Sequence, residues 1–170
     1  MSVCHGLVSI PTRILLPIDF SPSSQSALET AADLALHFNA ELFLVNVLPI
    51  FSTFTSEYAV PQVQFQQEEK TRAEKQLART RAVLTARGVK AGSSVELAND
   101  IAECIMEVAE REHVDFMVIS THGISGWHPL VFGSIAEKVV KLVECPLLLL
   151  HSAKPETGMN TPSDRSMEWW

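Results

Sequence analysis

Read for hydrophobic periodicity, the chain alternates short unbroken apolar runs with longer stretches in which apolar residues recur every three or four positions. Arg13–Ile18 (RILLPI) is the first such run and fits a strand buried on both faces. It ends at Asp19, and Ser21 followed by Pro22 supplies an N-cap and a first helical residue. Ala27, Leu28, Ala31, Ala35 and Phe38 then form the inner stripe of a helix that Asn39 can end. Glu41–Leu48 (ELFLVNVL) predicts a second buried strand with Asn46 as its one polar interior residue, which completes a βαβ unit. Pro49 to Pro61, with Phe51, Phe54, Tyr58 and, just beyond, Phe65, predicts a long, partly apolar loop that either covers a ligand or packs over the sheet edge. Gln66–Arg87 predicts a long solvated helix with a thin apolar line of Ala73, Leu77 and Leu84, closed by Gly88. Its Arg72, Arg79 and Arg81 interleave with Glu68, Glu69 and Glu74 and read as a wet face, not a binding cluster.

Val89–Leu97 is a weaker strand pattern, and Asn99 or Asp100 caps a helix whose inner stripe is Ile101, Ile105, Val108 and Ala109. Val114–Ile119 (VDFMVI) predicts a fourth strand and Cys145–Leu150 (CPLLLL) a fifth, with Pro146 at its start or on an edge. Between them Ile135, Val139, Leu142 and Val143 mark a helix, opened by a capping box of Ser134 and Glu137. Five strands alternating with four helices predict an α/β fold, a parallel sheet with helices on both faces and right-handed crossovers.

Composition narrows the picture. A chain of 170 residues that is 46% hydrophobic suits one domain with its own core. A net charge of −7 argues against an extended basic face, so neither nucleic acid nor an anionic membrane is an expected partner. The longest apolar runs are far shorter than the ~20 residues needed to cross a bilayer, and the first residues lack a leader pattern. The expectation is a cytoplasmic protein. Residues 1–10 read as an N-terminal extension and 152–170, rich in Pro, Thr, Ser and charge, as a disordered tail ending in Trp169 and Trp170. Cys4, Cys104 and Cys145 form no metal-ligand cluster and no CxxC; the last two sit on apolar patterns as core residues.

The candidate chemistry lies in Ser120–Ser134 (STHGISGWHPLVFGS), which leaves a strand's carboxyl end and enters a helix amino terminus. Unpaired N–H groups and the positive end of the helix dipole favour an anion there, and Gly123, Gly126 and Gly133 let backbone approach it closely. This stretch reads as a phosphate cradle, with Asp19 as a second piece of the same site. Ser134 has two open readings, helix cap or phosphate donor. His122 and His128 read as surface polar residues rather than general bases. The loop has no Lys, Arg, Asp or Glu, and no GxxxxGK[ST] occurs in the chain, so the site resembles a binding site more than an engine of phosphoryl transfer.

With RILLPIDFS and STHG-nine residues-GS in place, residues 11–151 resemble the universal stress protein family. The loop pattern of its ATP-binding branch, G-x2-G-x9-G-S/T, falls on Ser120, Gly123, Gly133 and Ser134, with a serine at the first glycine. The resemblance implies a Rossmann-like, doubly wound five-stranded parallel sheet of order 3-2-1-4-5. It also implies ATP, with Mg²⁺ or Mn²⁺, held across the carboxyl ends of strands 1 and 4. Asp19, beside Pro17, would lie near the ribose or the metal. Val45 to Val47 would read adenine with backbone, and Ser120, Gly123, Gly133 and Ser134 would take the phosphates. It further implies a homodimer through the C-terminal strand. Three functions stay open: a nucleotide-dependent stress or signalling module, a slow ATPase or ATP-dependent transferase, and a nucleotide-independent dimeric interaction protein.

Overall fold

The computed structural model describes residues 10–50, 59–121 and 133–151, the first four of the middle stretch by backbone alone. Its elements run β1 (Arg13–Pro17), α1 (Pro22–Phe38), β2 (Glu41–Pro49), α2 (Ala59–Ala86), β3 (Lys90–Ala98), α3 (Ile101–Arg111), β4 (Phe116–Ser120), α4 (Ser134–Leu142) and β5 (Leu147–Leu150). The strands form one sheet in the order β3-β2-β1-β4-β5, every neighbouring pair parallel. β1 lies at the centre, flanked by β2 and β4, so the strand order reverses there and a crevice opens between the carboxyl ends.

Alternation along the strands sorts the core into two layers. Ile14, Leu16, Leu42, Leu44 and Val118 face α1 and α2, meeting Ala27, Ala31, Ala35, Leu77 and Leu84. Leu15, Phe43, Val45, Met117 and Ile119 face α3 and α4, meeting Ala102, Ile105, Val108, Ala136 and Val139. Unbroken apolar runs in β1, β2 and β4 are thus what two covered faces require.

The helix ends follow from local chemistry. Ser21 caps α1, its side chain accepting from the Ser24 N–H at 3.2 Å, with Pro22 just inside. Asp100 caps α3 by accepting from the Glu103 N–H at 3.1 Å. At the other ends Asn39, Gly88 and His113 all take left-handed backbone, with φ of 55°, 89° and 53°. Each is followed by an N–H that reaches back five residues: Ala40 to Ala35, Val89 to Leu84, and Val114 to Ala109. That is the Schellman closure, and Val89 and Leu84 bury together to complete its apolar contact.

Two expectations are corrected, the start of α2 and the inner stripe of α4, and the expected third strand is present. α2 begins at Ala59, not Gln66, and takes in Pro61, because a first-turn residue needs no intrahelical N–H bond. Phe65 is therefore a helix residue, 51% exposed, while Phe51, Phe54 and Tyr58 lie outside the described residues. The weak β3 pattern hides a full nine-position pairing with β2. Its Gly92 lies over Phe43, where an added Cβ would come within 2.7 Å of the ring. In α4 the buried residues are Ala136 and Val139, with Val143 packed beside them; Ile135 and Leu142 are 40% and 41% exposed. Val139 belongs to both possible stripes, and the small Ala136 takes the sheet side where the chain re-enters close to Thr121.

Candidate functional site

A cavity of about 780 Å³ opens where β1, β2 and β4 end, bounded by α1 and α2 on one side and α3 and α4 on the other. Of the residues singled out in the sequence, Pro17, Asp19, Val45, Val47, Ser120, Gly133 and Ser134 all line it. Gly123, with Gly126, His122 and His128, lies outside the described residues. Residues more than a hundred positions apart therefore meet because the sheet order brings β1 and β4 side by side.

The first strand ends in a strained, tied-down turn. Ile18 donates its N–H to the Val45 carbonyl at 2.9 Å, and its own carbonyl accepts from Asn46 Nδ2 at 2.7 Å. Asp19 Oδ1 accepts from the Ser21 N–H at 3.0 Å and the Ser21 hydroxyl at 2.6 Å. Between them Phe20 sits at φ 61°, a conformation that a bulky side chain adopts only where its surroundings impose it.

On the far wall, Thr121 is the hub. It is buried, its N–H donates to the Leu150 carbonyl at 2.9 Å, and its carbonyl accepts the Gly133 N–H at 2.9 Å. Its hydroxyl lies 2.8 Å from His151 Nδ1. Gly133 has φ −58°, so the glycine is not required by left-handed backbone. Close approach favours it instead, since a Cβ would stand 3.3 Å from the Thr121 carbonyl oxygen, tighter than an ordinary contact. The first i to i−4 bond of α4 runs from Glu137 to Gly133 at 2.9 Å, so the N–H groups of Ser134, Ile135 and Ala136 form the open end of the helix, and all three residues line the cavity.

The capping box expected at Ser134 and Glu137 is not formed. Gly133 is the cap, with no side-chain cap bond, and Ser134 is the first helical residue. Glu137 instead accepts from Lys141 at 2.7 Å, a hydrogen bond that holds its carboxyl below the ordinary value. Lys138 pairs with Asp100 and, at 3.0 Å, with Glu103, tying α4 to the start of α3. The Lys138 hydrogen bond, with the Glu103 N–H, draws the Asp100 carboxyl down.

Sequence reasoning missed Thr121, Glu69, Arg72 and Gln76 as parts of the wall. Thr121 carries no pattern of its own, and the α2 residues look like any solvated helix face until the fold lays that helix beside β2. Among the described lining residues Arg72 is the only Lys or Arg; its side chain is 77% exposed and stands 3.5 Å from Glu69. Burial raises the thiols of Cys104 and Cys145, which leaves both as packing groups.

Residues 11–151 match the model described as the Universal stress protein family. A universal stress protein of Methanocaldococcus jannaschii is 30% identical over 156 residues, covering 91% of each chain. Among solved structures, a universal stress protein of Lactobacillus plantarum superposes with a TM-score of 0.74 at 19% identity, over 82% of this chain and 97% of its own. One from Archaeoglobus fulgidus, solved in complex with dAMP, gives 0.58 at 18% identity, over 83% and 98%.

Proposed function

The chain belongs to the universal stress protein family, and on that footing we propose that it is a nucleotide-binding module of stress response or signalling that holds ATP with Mg²⁺ or Mn²⁺ in this cavity. The observation that carries the reading is the convergence on one cavity, at the reversal of strand order, of Asp19, the β2 backbone at Val45 and Val47, and the open amino end of α4. The dAMP held by the Archaeoglobus fulgidus relative supports a nucleotide as the ligand class. Pro17, Val45 and Val47 then flank base and ribose, Asp19 takes the ribose or the metal, and Ser120, Gly133 and Ser134, with Gly123, take the phosphates. A magnesium ion on a nucleotide needs only one or two carboxylates beside phosphate oxygens and water, so Asp19 suffices.

Binding is favoured over turnover. Fast phosphoryl transfer needs a positioned cation, and Arg72 is an exposed, glutamate-paired side chain on the rim. Calorimetry with ATP, AMP and adenosine tests the reading: affinity should fall in that order, and equal affinity for all three sinks the phosphate assignment. Multiple turnover of ATP would move the protein to the ATPase alternative.

The edge position of β5, paired with β4 on one side only, supports a second copy of the chain docked along Leu147–Leu150. Light scattering at micromolar concentration should report a dimer, and a monomer there removes this part of the proposal.

A further inference from the structure

We propose that Asn46 is a positioning residue of this site: it holds the end of β1 so that Asp19 is presented to the nucleotide, an inference that rests on the nucleotide reading above. Asn46 follows Leu42 and Leu44 on the face of β2 that packs on α1 and α2. It is only 5% exposed at a position where the alternation calls for another apolar side chain. An amide there is costly unless its bonds matter, and only half of it is bonded. Nδ2 donates to the Ile18 carbonyl at 2.7 Å, while Oδ1 is buried with no partner among the described residues. Turning the amide over would set Oδ1 against the Ile18 oxygen, two acceptors face to face, so the orientation is fixed. A side chain that leaves its acceptor unsatisfied in order to make one bond marks that bond as the reason for its presence.

The bond falls on the peptide just before Asp19. With the Ile18 N–H bonded to Val45, both polar groups of Ile18 are tied to β2. From that anchor the chain makes the left-handed step at Phe20, whose ring packs against the α1 and α2 layer, and enters the Ser21 cap that engages Asp19 Oδ1. Such a turn persists only when its flanks over-determine it. Asn46 supplies the flank on the strand side, and the cavity is lined by both Asn46 and Asp19. Without the amide the Ile18 carbonyl loses its donor, the turn gains freedom, and the carboxylate loses its fixed direction.

The test is a double-mutant cycle on the full chain, freed of bound nucleotide, with Mg-ATP affinity read by calorimetry. Asn46→Val and Asp19→Asn should each weaken binding about tenfold or more, and the double variant should bind no worse than about threefold below the weaker single one. Asn46→Thr, which keeps a hydroxyl donor on a strand-favouring side chain, should recover part of the loss, and it carries the cycle if the valine variant does not fold. Losses that multiply in the double variant overturn the inference, as does a variant whose melting temperature falls while its affinity stays at the wild-type value. Wild type that binds no adenine nucleotide overturns the site reading, and this inference with it.

Discussion

The two ends of the sheet handle polar groups in opposite ways. At the amino end of β1, Asp115 accepts from the Thr12 N–H at 2.8 Å, the Thr12 hydroxyl at 2.6 Å and the Arg13 N–H at 2.9 Å. Arg13 in turn donates to the Glu112 carbonyl at 2.8 Å and pairs with Glu41 at 2.6 Å, so β1, β2 and the turn after α3 are locked together. At the carboxyl end the same strands finish on a cavity, an open helix terminus and a buried amide oxygen with no partner among the described residues. Closed networks hold a shape, and incomplete ones hold capacity for something else. The fold thus keeps its rigidity and its binding potential at opposite ends of the same strands.

Substitutions at the two ends should separate these properties. The largest expected effect is at Gly133. Gly133→Val should abolish the rise in melting temperature produced by ATP, worth about 2.7 kcal/mol when ligand stands at a hundred times its Kd. Its side chain also presses on the Thr121 carbonyl, so the ligand-free melting point should fall as well, and the ligand-induced shift is the decisive quantity. An ATP shift equal to that of wild type would place the nucleotide elsewhere.

Next comes the closed end. Asp115→Asn should cost about 1–2 kcal/mol by leaving donors facing a donor, yet leave the ATP shift untouched. Burial raises the Asp115 carboxyl, but the hydrogen bonds from the Thr12 hydroxyl and the Arg13 and Thr12 N–H groups outweigh it and hold it below the ordinary carboxylate value. A lowered carboxyl stabilises fully above its unfolded value and stops doing so as pH falls through its folded value. The stability gap between wild type and Asp115→Asn, read by urea unfolding, should therefore be full at pH 7 and narrow in strong acid. A gap that widens on acidification would contradict the network.

Ser134→Ala is smaller. Because Gly133 and not Ser134 is the cap residue of α4, the unliganded protein should melt within a degree or two of wild type, while ATP affinity falls by a factor of about five, the worth of one hydrogen bond. Smallest is Ser120→Gly, where calorimetry should find affinity within about threefold of wild type. A tenfold gain would identify the serine as a handicap, and a tenfold loss would identify its hydroxyl as a ligand.

The sequence made the rigid parts legible and the connections less so. β1, β2 and β4 are apolar on both faces, so their runs stand out, and the Ser21-Pro22 and Asp100 starts carry their own chemistry. β3 was dim because Gly92 is set by contact with Phe43, a partner that no local pattern names. In α4 a nine-residue helix offers two stripes that share Val139, and the fold buries the one that carries the small Ala136 while Ile135 and Leu142 stay exposed. Asp19 was legible as the residue that ends the first apolar run, whereas Pro17, Val45 and Val47 became site residues only through the family resemblance. Asn46 stood out as one polar letter in an apolar run, but its bond to Ile18 spans 28 positions and needed the fold to be seen.

The hydrogen bond between the Gly133 N–H and the Thr121 carbonyl joins the two ends of the connection that carries residues 122–132. That contact is made by backbone alone and holds the entry of α4 against the exit of β4, so the open amino end of the helix is aimed into the cavity by the sheet itself rather than by any one side chain.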